Sequence, residues 1–215
     1  MKRQRAVLFV NGNLVCPDRV RSMLCTDDFL VAVDGGLRHL VTLGLKPHLL
    51  IGDFDSVAPD ALMHLESAGV MLKRHPVEKD ETDLELALQY VVAEGYREVL
   101  IVAALGGRLD QILGNVFLLM SPSLEGCRVR LVDGHEEVFL IRACETIYGR
   151  AGDVVSLLPL QGVAEGVTTE GLQYPLRQET LHPARTRGIS NVMLGERAVI
   201  SLRKGLLLCV HTEVC

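Results

Sequence analysis

No two of the six cysteines (Cys16, Cys25, Cys127, Cys144, Cys209 and Cys215) form a C-x-x-C pair, and none sits in a tight His/Cys grouping. This removes the spacing of a zinc site or a small disulfide framework, and they read as buried or incidental reduced thiols. Positive charge is not in excess: the formal net charge is −5, so the basic footprint of a general nucleic-acid binder is missing. The opening MKRQRAVLFVNGNLV has a basic head but only five apolar residues before Asn11. That is too short for a signal-peptide core or a membrane span; it reads as a first strand, with the chain cytoplasmic and without a membrane partner. Neither G-x-x-x-x-G-K-[ST] nor G-x-G-x-x-G occurs, so the standard nucleotide folds gain no motif support. Repeats, low-complexity tracts and tryptophan are absent as well.

Hydrophobic residues fill 48% of the 215 positions, enough for one large domain or two small ones. Over residues 1–135, short apolar runs alternate with amphipathic stretches. Ala6–Val10, Phe29–Val33, Leu49–Ile51, Val99–Ala103 and Val129–Val132 are rich in Val, Ile and Leu and bounded by Gly, Asp or Asn, as in strands covered on both faces. After Thr82, Leu84, Ala87, Leu88 and Val91 recur at helical spacing, and Thr82 with Glu85 forms a capping box. This alternation predicts an α/β domain, an open and mostly parallel sheet with helices on both sides. From residue 136 to 215 the helical period disappears. Val138–Arg142, Val154–Leu158, Val163–Thr168, Ala198–Leu202 and Leu206–Val210 are short and β-branched. They predict an antiparallel sandwich or barrel, small for independent stability, that docks on the first domain or on a second subunit.

Four polar clusters stand where strands of the first domain should end: Asp34–Gly36, Gly52–Ser56, Lys79–Asp83 and Gly106–Asp110. In open α/β sheets ligands bind beyond the carboxyl ends of the strands, so one rim would bring all four to a single site. In an extended segment Asp53 and Asp55 point the same way while Phe54 turns to the core. Two carboxylates held so close repel, and magnesium, which takes one or two carboxylates plus substrate phosphates, relieves the repulsion; the same residues also suit a plain turn. Asp80 and Asp83 either complement the dipole of the capped helix or join a metal site, and Lys79 is equally suited to a solvated surface. Thr82 at that helix start offers a phosphate contact. Gly106 and Gly107 allow close backbone approach and Arg108 offers a planar cation to phosphate, although a turn and cap fit too. Asp110 suits a cap, a metal ligand or a base.

In combination the clusters resemble the thiamine pyrophosphokinase family: D-G-G, G-D-F-D-S, K-D-x-T-D, G-G-R-x-D and, at Gly188-Ile189-Ser190-Asn191, G-x-S-N. The resemblance runs from Asn11 nearly to the C-terminus. It implies a Rossmann-like α/β domain followed by a smaller all-β sandwich, acting as a homodimer with active sites shared between subunits. ATP, Mg2+ and catalysis are assigned to residues 1–135, thiamine and dimerisation to residues 136–215. By the resemblance, Asp53, Asp55 and Asp83 gather magnesium, with Asp80 behind or bridging. Asn11, Asp34, Gly35, Thr82, Gly107 and Arg108 hold ATP and its phosphates, and Asp110 positions or deprotonates the thiamine hydroxyl. That hydroxyl attacks the β-phosphorus and AMP leaves, so Asp53, Asp55, Asp83, Arg108 and Asp110 form the catalytic set. A carboxylate-rich site also suits a cationic thiazolium.

Ser190 and Asn191 match the family segment that meets the aminopyrimidine, and a hydroxyl and an amide can supply it with donors and acceptors. By themselves they also suit a polar turn. Gly171–Leu176 matches G-L-x-Y-P-L and reads first as packing and interface. Gln111 departs from the pattern, following Asp110 where many bacterial relatives carry His. Met193 stands where some relatives place an aromatic near the thiamine, which leaves weaker stacking there, or Tyr174 or a methionine sulfur as the substitute. Two readings compete: magnesium-dependent transfer onto another small alcohol, and a catalytically silent nucleotide- or thiamine-binding regulator. A pure binder has no need of Asp53, Asp55, Asp83 and Asp110 together.

Overall fold

The apolar runs of the first half become the strands of one parallel sheet. The computed structural model describes residues 5–214; residues 1–4 and Cys215 lie outside the described residues. Strands β1 (Arg5–Phe9), β2 (Phe29–Val33), β3 (Leu49–Gly52), β4 (Met71–Arg74), β5 (Glu98–Val102) and β6 (Arg128–Asp133) alternate with helices α1 (Pro17–Met23), α2 (Leu37–Thr42), α3 (Pro59–Ser67), α4 (Asp83–Ala93) and α5 (Leu109–Leu118). They run in the order β6-β5-β1-β2-β3-β4, every ladder parallel. Parallel neighbours need crossovers, which the helices supply. From β4, at the far edge, the chain returns to pair as β5 beside β1. Strand order therefore reverses at β1, and the crevice beyond the carboxyl ends of β1, β2 and β5 is the topological switch point.

Helix α4 buries Leu84, Ala87, Leu88 and Val91, as the spacing predicts. The Thr82 hydroxyl caps it by accepting from the Glu85 backbone N–H at 3.2 Å. Strand β4 is not among the strands that apolar runs predict. It is an edge strand carrying the exposed Lys73 and Arg74, and an edge needs no continuous apolar run.

The chain divides after Gly134 into two compact units. The second contains β7 (Glu136–Ile141), β8 (Cys144–Tyr148), β9 (Val154–Pro159), β10 (Ala164–Glu170), β11 (Glu179–Leu181), β12 (Asn191–Val192), β13 (Arg197–Ser201) and β14 (Leu207–Thr212). Antiparallel ladders link β12-β9-β14-β7 on one side and β11-β10-β13-β8 on the other. Phe139, Leu157 and Cys209 from the first set share one core with Ile147, Val167 and Ile200 from the second, the arrangement of a β-sandwich. Next to that core the buried Asp153 carboxylate pairs with His211 at 3.2 Å and accepts from the backbone N–H groups of Arg150 and Val214 at 2.7 and 3.1 Å. Burial alone would push Asp153 up; these donors outweigh it and hold the carboxyl below its usual range. Among the described residues Cys16, Cys25, Cys127, Cys144 and Cys209 form no disulfide, and no helix is long and apolar enough to cross a membrane.

Candidate active site

Beyond β3 the chain does not stay extended. The sequence places Asp53 and Asp55 on one side of an extended segment; the structure brings them together by a turn instead. Phe54 adopts a left-handed backbone (φ 67°) with its ring buried, and the Asp55 N–H donates to Asp53 Oδ1 at 3.0 Å. Arg74, from the end of β4, donates to the Asp53 carbonyl at 3.1 Å and lies 5.6 Å over the Phe54 ring. Asp34, just after β2, completes a trio: one carboxylate oxygen from each of Asp34, Asp53 and Asp55 lies within 4.8 Å of the others. The Ser56 hydroxyl donates to Asp34 Oδ1 at 2.9 Å and fixes its orientation. The negative charge of Asp53 foremost, then partial desolvation and the charge of Asp34, push the Asp55 carboxyl above its ordinary value. A small hard divalent cation has octahedral bonds of about 2.1 Å, which set its ligand oxygens about 3 Å (adjacent) or about 4 Å (opposite) apart. The trio's oxygens, within 4.8 Å of one another, lie close to that range, and an all-oxygen donor set suits such a cation.

Beside the trio, a cavity of about 480 Å³ opens at the switch point, lined by Asn11, Gly12 and Asn13 after β1, Asp34 after β2, Asp83 at the start of α4, and Gly106, Gly107 and Arg108 after β5. The loops that meet here are packed too closely for side chains at three glycines. A Cβ on Gly12 would strike the Ala103 carbonyl, one on Gly36 the Phe9 carbonyl, and one on Gly35 the Asn11 side chain, so glycine is required where these loops meet. Helix α2 steadies the same place. Arg38 donates to the carbonyls of Asn11 and Gly12 at 2.9 and 2.7 Å, and His39 Nε2 lies 2.9 Å from the Gly12 carbonyl. Burial pushes the His39 imidazole below its usual range, the Gly12 bond opposes that, and the charge of Arg38 adds to it.

The remaining predicted residues are placed as follows. Asp83 lines the cavity but is held by Lys79 at 2.7 Å, a lysine whose side chain is 12% exposed and therefore no solvated surface group. Asp80 sits on the exposed bend before α4 and is not part of the trio. Thr82 is exposed, its hydroxyl engaged as the cap. Gly107 is left-handed at φ 114°. Arg108, the residue before α5, grips Asp110 through two bonds of 3.1 and 2.6 Å, both groups exposed. That pairing holds the Asp110 carboxyl below its usual range.

In the second unit, Ser190 has a left-handed backbone (φ 57°) and donates its N–H to the Ser156 hydroxyl at 3.0 Å. Asn191 is buried, with its amide bonded to the Tyr174 backbone. Met193 is buried too, whereas Tyr174 is 54% exposed, so of the two only the tyrosine is open to solvent. Sequence reasoning did not reach Asn13, Arg38, His39 or Asn115. Asn115 donates to the Ala104 carbonyl at 2.8 Å and pins the loop after β5; its one visible signal is an Asn inside an otherwise apolar helical run.

A parallel α/β sheet whose switch point carries three converging carboxylates, in one chain with a β-sandwich, has the parts of a two-domain enzyme. The sequence models of the thiamin pyrophosphokinase catalytic domain and of the thiamin pyrophosphokinase vitamin B1 binding domain match residues 20–131 and 144–207. The chain belongs to the thiamin pyrophosphokinase family. The thiamine pyrophosphokinase of Bacillus subtilis (strain 168) is 29% identical over 184 residues, 85% of this chain and 86% of that protein. Thiamine pyrophosphokinase 1 of Oryza sativa subsp. japonica is 25% identical over 209 residues, 88% of this chain and 78% of that one. The crystal structure of the Bacillus subtilis thiamine pyrophosphokinase superposes with a TM-score of 0.87 at 25% identity, covering 99% of this chain and all of the other. The yeast enzyme, 16% identical, shares the fold with a TM-score of 0.79 over 99% of this chain and 87% of its own. In activity the chain is a thiamine diphosphokinase, and the reading as a silent regulator is not favoured.

Proposed function

We propose that ATP binds as its magnesium complex at the switch-point cavity, that thiamine binds at the Ser190 end of the sandwich, and that the β,γ-pyrophosphoryl group passes from one to the other. The observation that carries this reading is the trio Asp34, Asp53 and Asp55, whose oxygens lie within 4.8 Å of one another. Asp53 and Asp55 hold the magnesium, with Asp83 joining as it leaves Lys79 and Asp80 behind them; bound there, the ion neutralises phosphate charge. Asn11, Asp34 and Gly35 line the nucleotide, while Thr82, Gly107 and Arg108 meet its phosphates. A phosphate that takes Arg108 frees Asp110. Once freed, the Asp110 carboxylate orients the thiamine hydroxyl as a hydrogen-bond acceptor before it accepts the proton. The hydroxyl oxygen bonds to the β-phosphorus, the bond from that phosphorus to the oxygen bridging the α-phosphorus breaks, and AMP leaves with the bridging oxygen.

Ser190 and the Tyr174 ring are the groups for the aminopyrimidine, with Asn191 between them in the structure of that end. A homodimer with shared sites is supported by the exposed stripe Leu109, Leu113 and Phe117 along one face of α5. The cytoplasm, where ATP is supplied, is the working compartment. The test is incubation with ATP, magnesium and thiamine, with products read by mass: AMP and thiamine diphosphate are expected. ADP with thiamine monophosphate would overturn pyrophosphoryl transfer, and turnover only with another alcohol would overturn the substrate.

A further inference from the structure

The residues around Asn191 form a short ladder that ends early. Leu172 bridges Met193, the Gln173 N–H donates to the Val192 carbonyl at 2.8 Å, and the Leu194 N–H to the Gly171 carbonyl at 2.9 Å. One rung further, the Asn191 backbone is in register with Val155 of β9 on its other side. Here the side chain takes over. Asn191 Oδ1 accepts the Tyr174 N–H at 2.9 Å, and Nδ2 donates to the Tyr174 carbonyl at 2.7 Å. Oδ1 also accepts the Val192 N–H at 3.0 Å. A carboxamide carries the donor and acceptor of a peptide group in one plane, so it extends the ladder by one rung and uses three of its four bonding positions to do so. Asn191 is only 5% exposed, while Tyr174 is 54% exposed. Pro175 follows and restricts Tyr174 to extended backbone. The tyrosine is therefore held at its N–H, its carbonyl and its ψ angle.

We infer that Asn191 is a positioning residue: its buried amide fixes the Tyr174 backbone and so aims the Tyr174 ring at thiamine, without touching substrate itself. This rests on the reading of Tyr174 as the aromatic face of the thiamine end. Two measurements on the full-length enzyme test it. Amide exchange at Tyr174, followed by NMR, should speed up at least about tenfold in Asn191→Ala. In steady-state kinetics, Tyr174→Ala should raise the thiamine KM roughly threefold to tenfold, the range of a lost aromatic contact. Asn191→Ala should raise it by a similar factor with the ATP KM unmoved, and the double variant should be no worse than Tyr174→Ala alone. If the alanine variant does not fold, Asn191→Leu, which is close in volume and keeps neither the acceptor nor the donor, serves for both readings. Multiplicative KM effects in the double variant would mean that Asn191 meets substrate directly, and would overturn the inference, as would unchanged exchange at Tyr174. A thiamine KM unchanged in Tyr174→Ala alone would overturn the stacking role and with it the route assigned to Asn191, and that is seen before any cycle is drawn.

Discussion

At the scale of single residues, Phe54 sets the chemistry of its neighbours. Its left-handed backbone costs a side chain with a Cβ about 1–2 kcal/mol. Burial of the ring, the bond from the Asp55 N–H to Asp53, and the hold of Arg74 on the Asp53 carbonyl offset that cost. In exchange, two acidic side chains separated by one residue converge on Asp34. Asp55→Asn removes one of three mutually repelling charges. Turnover should fall at least about a hundredfold, the order lost when a charge-stabilising group is removed. The magnesium-free protein should melt no lower than the parent, and the rise in melting temperature on adding magnesium should shrink. Near-parental turnover in the folded variant would remove Asp55 from the metal site.

Among the elements, α2 is only six residues long, yet through Arg38 and His39 it holds the loop that floors the cavity. The folded protein keeps His39 below its ordinary value of 6.5, so as pH falls the unfolded chain takes up that proton first. The stability linked to His39 is complete above about pH 6.5 and declines as pH drops below it. Melting temperatures from pH 7.5 to 5.5 should fall, and fall less in His39→Gln, which keeps an N–H donor but does not titrate; an equal slope in both would refute the assignment. The sequence showed these elements unequally. β1, β2, β3, β5 and β6 were legible because strands covered on both faces must be apolar throughout. Helix α4 was legible because its period and cap agree. β4 was not, because an edge strand tolerates Lys73 and Arg74. The acidic turn was visible as a cluster, and the shared rim already placed Asp34 near it; what spacing does not show is that Asp34, carried beside Asp53 by the pairing of β2 with β3, completes the trio in place of Asp83. Nor does spacing say that the Asn191 amide turns inward to Tyr174, since the identical S-N pair fits a solvent-facing turn.

For the whole molecule, the stripe Leu109, Leu113 and Phe117 leaves three large apolar side chains, 44% to 69% exposed, on one face of one helix. Sedimentation at assay concentration should give a dimer, and Leu113→Lys with Phe117→Lys should shift it to monomer and lower turnover. An active monomer of the unaltered chain would contradict the dimer. The two units also have separate hydrophobic cores, one drawing on Phe9, Leu40, Leu50 and Val102, the other on Phe139, Leu157 and Ile200. Every strand of the parallel sheet has found its partner by Asp133. On a ribosome adding about 5–20 residues each second, the later unit needs on the order of ten seconds more. On the function proposed above, the residues assigned to ATP and magnesium all lie in the part of the chain made first, so these two would act as a folding ligand for the first half before the second has been translated.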